Sequence, residues 1–255
     1  MATYKKRGYK PKNVKEKVEK IEEGSTTAEV FNTLDESANK AEDWVAKNQK
    51  AIFGLIGIVA VVILGYLGYD RFIAGPKAQE AMNEMYTAQK FFDEAVNATQ
   101  NQDSLYTLAI NGGEGKYGMV DIVNEYGSTP AGNLANYYAG MAYLNLKDYT
   151  NAVKYLSEFK TDDAVLGPIA KGGVGDAFVQ LNQLEDALGY YEDAIKASTN
   201  NYTTPLYLMK AAGVAETLGN SAKALEYYKR IKAEFSESDQ ATNIDAFIGR
   251  AEASN

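Results

Sequence analysis

Nineteen consecutive residues, Ala51 to Tyr69 (AIFGLIGIVAVVILGYLGY), contain no charge, amide or proline, and Lys50 and Asp70 close the run at either end. At a rise of ~1.5 Å per residue, a helix over this run spans about 28 Å, close to the hydrocarbon thickness of a bilayer. Eleven of the nineteen are Ile, Leu, Val or Phe. Each of these favours insertion by roughly 0.3 to 0.6 kcal/mol at the helix centre, and together they outweigh the glycines. A helix buried in a protein core would show some polar face over this length. A cleaved signal sequence has only a short charged segment ahead of its apolar run, whereas fifty residues precede this one. The run reads as a single transmembrane helix.

Its flanks set the orientation. Residues 1–50 carry eleven Lys/Arg against nine Asp/Glu, and residues 70–255 carry fifteen against twenty-five, so the two parts are +2 and −10 within a net charge of −8. Lys5, Lys6, Arg7, Lys10 and Lys12, then Lys40, Lys47 and Lys50, crowd the N-terminal side, and the positive-inside rule assigns that end to the cytoplasm. Arg71 and Lys77 beyond the other end weaken the bias a little. Trp44 on one side, and Tyr66, Tyr69 and Phe72 on the other, suit the two aromatic interface belts. The expected topology is a membrane crossed once, with the C-terminal domain on the side away from the cytoplasm.

The chain has no cysteine, so the exported part makes no disulfide and has no thiol for a lipid anchor; it has no histidine, the commonest acid/base and metal ligand. No cofactor or metal site is expected.

The first dozen residues (MATYKKRGYKPK) read as a disordered basic arm near an anionic membrane surface. Phe31, Leu34, Ala38, Ala41 and Val45 recur at alternating steps of three and four, the pattern of a helix with a narrow apolar seam. Within the apolar run, Gly54, Gly57, Gly65 and Gly68 fall within about 80° of one another on a helix and form one smooth face. Small residues let a second membrane helix approach closely, although glycine is also simply common in such helices. After Gly75-Pro76, a helix initiator, a helical pattern runs to about Ala98, with Met82, Met85, Tyr86, Phe92 and Val96 among its apolar positions. Neither Asn111–Gly118 (NGGEGKYG) nor Lys171–Gly175 (KGGVG) has the spacing or flanking elements of a nucleotide-binding loop.

Internal repetition organises the rest. Ala152, Ala187 and Ala224 are separated by 35 and 37 residues, and Gly140, Gly175 and Ala212 each stand twelve positions earlier. Two helices that cross closely need Gly or Ala at the crossing, and Tyr143 and Phe178 then fill the gap between units. Turns are expected at Asn145, Asn182 and Gly219-Asn220, between a first helix (A) and a second (B). Pro130, Pro168 and Pro205, spaced by 38 and 37, mark the unit boundaries. Ile244, Phe247 and Ile248 fit a capping helix. The expected organisation is a basic arm and juxtamembrane helix over 1–50, a transmembrane helix over 51–69, an irregular helical part over 70–130, three repeats over 131–236 and a cap over 237–255. The fold class is all-α: one N-terminal membrane helix followed by a helical-repeat solenoid.

The run Tyr137-Tyr138-Ala139-Gly140-Met141-Ala142-Tyr143-Leu144, with Asp148-Tyr149, Ala152, Tyr155-Leu156 and Phe159, resembles the tetratricopeptide family. The whole layout, with Glu125–Ala131 (EYGSTPA) entering the first repeat and Thr204–Ala211 (TPLYLMKA) entering the last, is similar to the YfgM-like group. That resemblance implies an ancillary subunit of the bacterial Sec translocon, in the inner membrane, single-pass, with its N-terminus cytoplasmic and its C-terminal domain periplasmic. Its implied partners are translocon membrane subunits, a periplasmic prolyl-isomerase-type chaperone and nascent secreted polypeptides.

Helix A positions of such a solenoid line a concave surface. In this register they are Leu134, Tyr137, Met141 and Leu144; then Ile169, Gly172, Asp176 and Val179; then Leu206, Met209, Gly213 and Glu216. The set is mainly apolar, and its methionines and tyrosines suit adaptable contact with extended or helical segments, although single members can equally serve packing. It includes no Lys or Arg to clamp a partner's carboxylate, and with Asp176 and Glu216 present a basic partner segment is favoured over an acidic one. Nucleic acid is disfavoured by the same charge. The pairs Asp162-Asp163, Glu185-Asp186 and Glu192-Asp193 are adjacent in sequence and do not converge as catalytic carboxylates, so no enzymatic role is expected. Two functions remain: a scaffold or chaperone-like subunit of protein export, and a scaffold for cell-envelope complexes of the outer membrane or division machinery.

Overall fold

The computed structural model describes residues 26–254, and the expected basic arm lies outside the described residues. The chain divides at Tyr69/Asp70 into two units. In the first, Thr26–Tyr69 form one uninterrupted helix, α1, so the juxtamembrane seam and the apolar run belong to a single element. Among the described residues, the helix holding Ala51–Tyr69 is the only one long and apolar enough to cross a membrane, and its apolar window is not buried by protein at all. Leu55, Ile58, Val61 and Leu64 all stand exposed. A core helix would hide these side chains; these lie open to whatever surrounds them.

The second unit begins with a π-helical turn, Asp70–Ala74, followed by α2, Gly75–Asn97. Gly75-Pro76 was expected to initiate a fresh helix. Instead Ala74 is itself right-handed helical (φ −69°, ψ −45°). Pro76 has no N–H to offer the carbonyl four residues back, and a wide turn next to it accommodates the missing bond. α2 buries Ala81, Met85, Ala88, Phe92 and Ala95, at steps of four and three. Met82, Tyr86 and Val96, apolar in the sequence pattern, lie on its exposed side. α3 (Gln102–Asn111) and α4 (Met119–Tyr126) flank the glycine-rich segment, which is closed by an antiparallel bridge between Gly113 and Lys116.

Three helix pairs follow: α5 (Pro130–Asn145) with α6 (Tyr149–Glu158), α7 (Leu166–Gln180) with α8 (Leu184–Ala197), and α9 (Thr203–Thr217) with α10 (Ser221–Glu234). A 3₁₀ turn (Asp239–Ala241) and α11 (Ile244–Ala253) complete the unit, α11 packing on α10. Pro130, Pro168 and Pro205 all sit in the first turn of an A helix, where no N–H is needed.

The crossings are as tight as the small residues imply. Ala152, Ala187, Ala212 and Ala224 have no exposed surface. A Cβ at Gly140 would stand 2.5 Å from Leu156 Cγ, and one at Gly175 2.6 Å from the Tyr191 ring. Each pair also turns the same way. Lys147, Asn182 and Gly219 are left-handed, with φ of 63°, 56° and 74°. The N–H of the next residue reaches five positions back, from Asp148 to Tyr143 (2.9 Å), Gln183 to Phe178 (2.9 Å) and Asn220 to Ala215 (2.8 Å). This is the Schellman closure, and it occurs three times in register. The first turn is therefore centred on Lys147 rather than on Asn145, which is the last residue of α5.

Longer loops are fastened by asparagines. The Asn133 carboxamide donates to the Lys160 carbonyl (2.7 Å) and accepts from its N–H (2.9 Å). Asn200 donates to the Ala164 carbonyl (2.9 Å) and accepts from the N–H groups of Tyr202 and Thr203. Because left-handed backbone strains an L side chain and not glycine, Lys147→Gly should stabilise the domain and Gly219→Ala should destabilise it, each by about 1 kcal/mol. Chemical denaturation followed by circular dichroism measures both, and equal midpoints for the three proteins would contradict the turn assignment.

Candidate functional site

The A helices α5, α7 and α9 carry the residues selected from the repeat register. Leu134, Tyr137, Met141, Leu144, Ile169, Asp176, Val179, Leu206, Met209 and Glu216 are all half-buried. Their inner sides serve packing. Leu134 rests on the cluster shared by α2, α4 and α5, and Tyr137 and Met141 rest on Leu156, Ala170 and Val174. Val179, Leu206 and Met209 border the cluster of the last two repeats. Tyr137 meets Phe159 with ring centroids 5.2 Å apart.

Gly172 is not part of the surface as expected. It is buried, and the Tyr207 ring occupies the space its Cβ would need. A glycine in α7 thus lets a tyrosine of α9 lie directly against the middle A helix. Tyr207 also stacks on Tyr191 of α8, with centroids 6.1 Å apart and planes 20° apart.

The two carboxylates of the face are both engaged. Lys210 of α9 donates to Asp176 of α7 at 2.6 and 2.7 Å, and the Tyr191 hydroxyl donates to Asp176 at 2.6 Å. The same ammonium stands 5.9 Å from the Tyr191 ring centre and 5.8 Å from that of Tyr207. Glu216 of α9 accepts from Arg250 of α11 through both oxygens, at 3.3 and 2.7 Å. On the B helices, Glu192 pairs with Lys223 and accepts from the Tyr227 hydroxyl at 2.6 Å.

The titration of these groups follows from their surroundings. Burial, then the Asp176 charge, holds the Tyr191 hydroxyl far above the usual tyrosine range. Burial does the same for Tyr207, assisted by Asp176, Tyr137 and Tyr202. Partial burial opposes ionisation of Glu192, but hydrogen bonds from Lys223 and Tyr227 prevail and hold its carboxyl below the usual range.

Sequence reasoning missed Lys210, Tyr207 and Arg250. Lys210 lies 34 residues after Asp176, three short of the 37-residue offset between those two repeats, and Arg250, on the capping helix, lies 34 after Glu216. Opposite charges about one helical turn short of the repeat period were the available signal. Two members of the adjacent acid pairs have structural occupations: Asp163 accepts from the N–H groups of Val165 and Leu166 at 2.8 Å, and Asp193 lies 3.6 Å from Lys196. Among the described residues no group of His, Cys, Asp and Glu is arranged to hold a metal ion. On α1, a Cβ added at Gly54, Gly57, Gly65 or Gly68 would meet nothing within 4 Å.

Glu192 sets a pH dependence. Its folded carboxyl is more acidic than in the unfolded chain, so its contribution is complete above the unfolded value and is lost as pH falls through the folded one. Lys223→Met should therefore cost about 1 kcal/mol at neutral pH, the ion pair being a quarter to a third exposed. The difference from wild type should shrink as pH is lowered through the carboxylate range. Urea unfolding at stepped pH measures this, and a pH-independent difference would remove the ion pair as its cause.

Two family models, both described as tetratricopeptide repeat, match the chain at residues 134–163 and 175–239. No curated protein matches it. A solved structure described as a kinesin light chain from Podosopora anserina with nearly identical TPR-like repeats is similar at 12% identity, with a TM-score of 0.49, over 70% of this chain and 87% of that one. The helix pairs are tetratricopeptide repeats in an all-helical solenoid, an architecture that serves as a scaffold for protein–protein contact.

Proposed function

We propose that this chain is a membrane-anchored, non-enzymatic scaffold or chaperone-like ancillary subunit of the Sec protein-export machinery. Its repeats would meet partner proteins or emerging secreted chains in the periplasm, and its N-terminus would lie in the cytoplasm. The observation that carries the reading is the joining, in one chain, of an unburied apolar helix of membrane-spanning length to tetratricopeptide repeats. The charge asymmetry about that helix and the resemblance to the YfgM-like group supply the orientation and the export machinery. The A-helix residues from Leu134 to Glu216 are the proposed partner surface. Gly54, Gly57, Gly65 and Gly68 form the proposed contact with a translocon membrane helix, a periplasmic prolyl-isomerase-type chaperone being the further partner.

Tagged protein purified from its native membrane in mild detergent should retain translocon subunits together with a periplasmic chaperone, as identified by mass spectrometry. Envelope-assembly or division proteins without the translocon would replace this reading with that of an envelope scaffold. Gly57→Leu combined with Gly65→Leu should release the membrane partners while leaving insertion intact, and unchanged co-purification would remove the glycine face from the interface.

A further inference from the structure

The repeat unit begins with a stretch that its own core does not cover. From Asp70 to Glu80 no residue is buried, and the first that is buried is Ala81. Phe72 is 79% exposed and Ile73 57%, and Phe72 is the most exposed large apolar side chain among the described residues. The two stand three and four residues after Tyr69, where the apolar run ends. Three residues of chain reach at most about 10 Å, so Phe72 cannot lie far from the end of that run.

One helical turn beyond Ile73, the Lys77 ammonium stands 5.9 Å from the centre of the Tyr126 ring, and Tyr126 of α4 meets Tyr117 with ring centroids 6.4 Å apart. Tyr117 follows the bridge between Gly113 and Lys116 and is 39% exposed. The fold thus brings a hairpin forty residues further along the sequence to the end of the unit at which the chain enters. Cations do not dominate this end. Arg71, Lys77 and Lys116 are matched in number by Asp70, Glu80 and Glu114, and Glu84 also acts on Tyr126.

An exposed phenylalanine in water forfeits the burial that its size would give. Tyrosine and lysine each join an apolar body to a polar tip and so fit a boundary between hydrocarbon and water. The edge of a bilayer is such a boundary, and the end of the apolar run sets it within reach of these side chains.

We propose that Phe72, Ile73, Lys77, Lys116 and Tyr117 form a lipid-facing surface of the repeat unit, Phe72 and Ile73 entering the apolar edge of the interface while Tyr117 and the two lysines rest among zwitterionic headgroups. This rests on the membrane-anchor reading above and adds a folded hairpin to the aromatic belt. Lipid contact then holds the repeats in one orientation at the membrane surface. The mixed charge makes the contact an apolar one, independent of anionic lipid.

The test uses the full chain in phosphatidylcholine nanodiscs, with and without phosphatidylcholine carrying a nitroxide on its headgroup, which quenches tryptophan on contact. Trp44 is the single tryptophan of the chain. In a Trp44→Phe background, Phe72→Trp and Tyr117→Trp should each lose at least about half their emission to the nitroxide, whereas Tyr202→Trp, before α9, should lose less than about a tenth. Circular dichroism checks that helicity is unchanged. Phe72→Ser with Ile73→Ser should lower the quenching of Tyr117→Trp about twofold or more. Replacing about a third of the lipid by phosphatidylglycerol should not raise that quenching, and a rise abolished by salt would overturn the apolar basis of the contact. Equal quenching of Tyr202→Trp and Tyr117→Trp would overturn the assignment of this surface. Unquenched Tyr117→Trp beside quenched Trp44 in the wild-type chain would overturn the proposal and leave the anchor standing. Silence of both would overturn the anchor as well.

Discussion

The repeat unit depends on how closely its two helices cross. At Gly140 and Gly175 there is no room for even a methyl group, and the facing Ala152 and Ala187 are wholly enclosed; Ala212 and Ala224 form the third crossing. A crossing this tight fixes the depth and rotation of helix B on helix A, since interiors packed at crystal density do not deform continuously. Once that relation recurs every 35 to 37 residues, other features must recur with it: a first-turn proline, a left-handed residue closing helix A, and a facing side chain one period away. The polar pairs are therefore products of the stacking. Asp176 with Lys210, Glu216 with Arg250 and Glu192 with Tyr227 join residues 34 or 35 apart because stacking lays each helix against a neighbouring one near, though not at, the equivalent position.

The same stacking separates two kinds of surface. On the A-helix side, Asp176 and Glu216 are drawn into pairs and the Tyr207 ring lies over the backbone of Gly172. Other acid residues stand at exposed positions such as Glu158, Asp162, Glu185, Asp186 and Glu226, and Glu237 and Asp239 lie beside Tyr202 and Leu206. A negative outer surface favours solubility and discourages association with nucleic acid or anionic headgroups. It says little about what the A-helix face holds, because screening at physiological salt confines such fields to about 8 Å.

The period of the repeats was legible because small residues at a crossing cannot be replaced by large ones, so the pattern survives in a single sequence. The A-helix residues followed from the register, and all ten chosen positions are half-buried. Three things were not legible. Gly172 looked like a surface position of helix A, and only the fold brings Tyr207 over it, from 35 residues away. Lys210 was passed over because its partner lies on another repeat and helix-local spacing of three or four does not reveal it. The π turn at Asp70–Ala74 depends on how the backbone answers the missing N–H of Pro76, for which the sequence permits a break, a kink or a widened turn.

Under the proposed role, the anchor and the repeats answer one difficulty together. A mainly apolar face that accepts many segments has little directional chemistry and binds each weakly, because the cost of ordering a flexible chain consumes much of what the contacts supply. Tethering changes the arithmetic without adding a contact. A binding module held on the same surface from which its clients emerge meets them at an effective concentration approaching the millimolar range, so a weak, fast-releasing interaction suffices. Strong affinity would be a disadvantage there, since a segment held for long cannot proceed to fold.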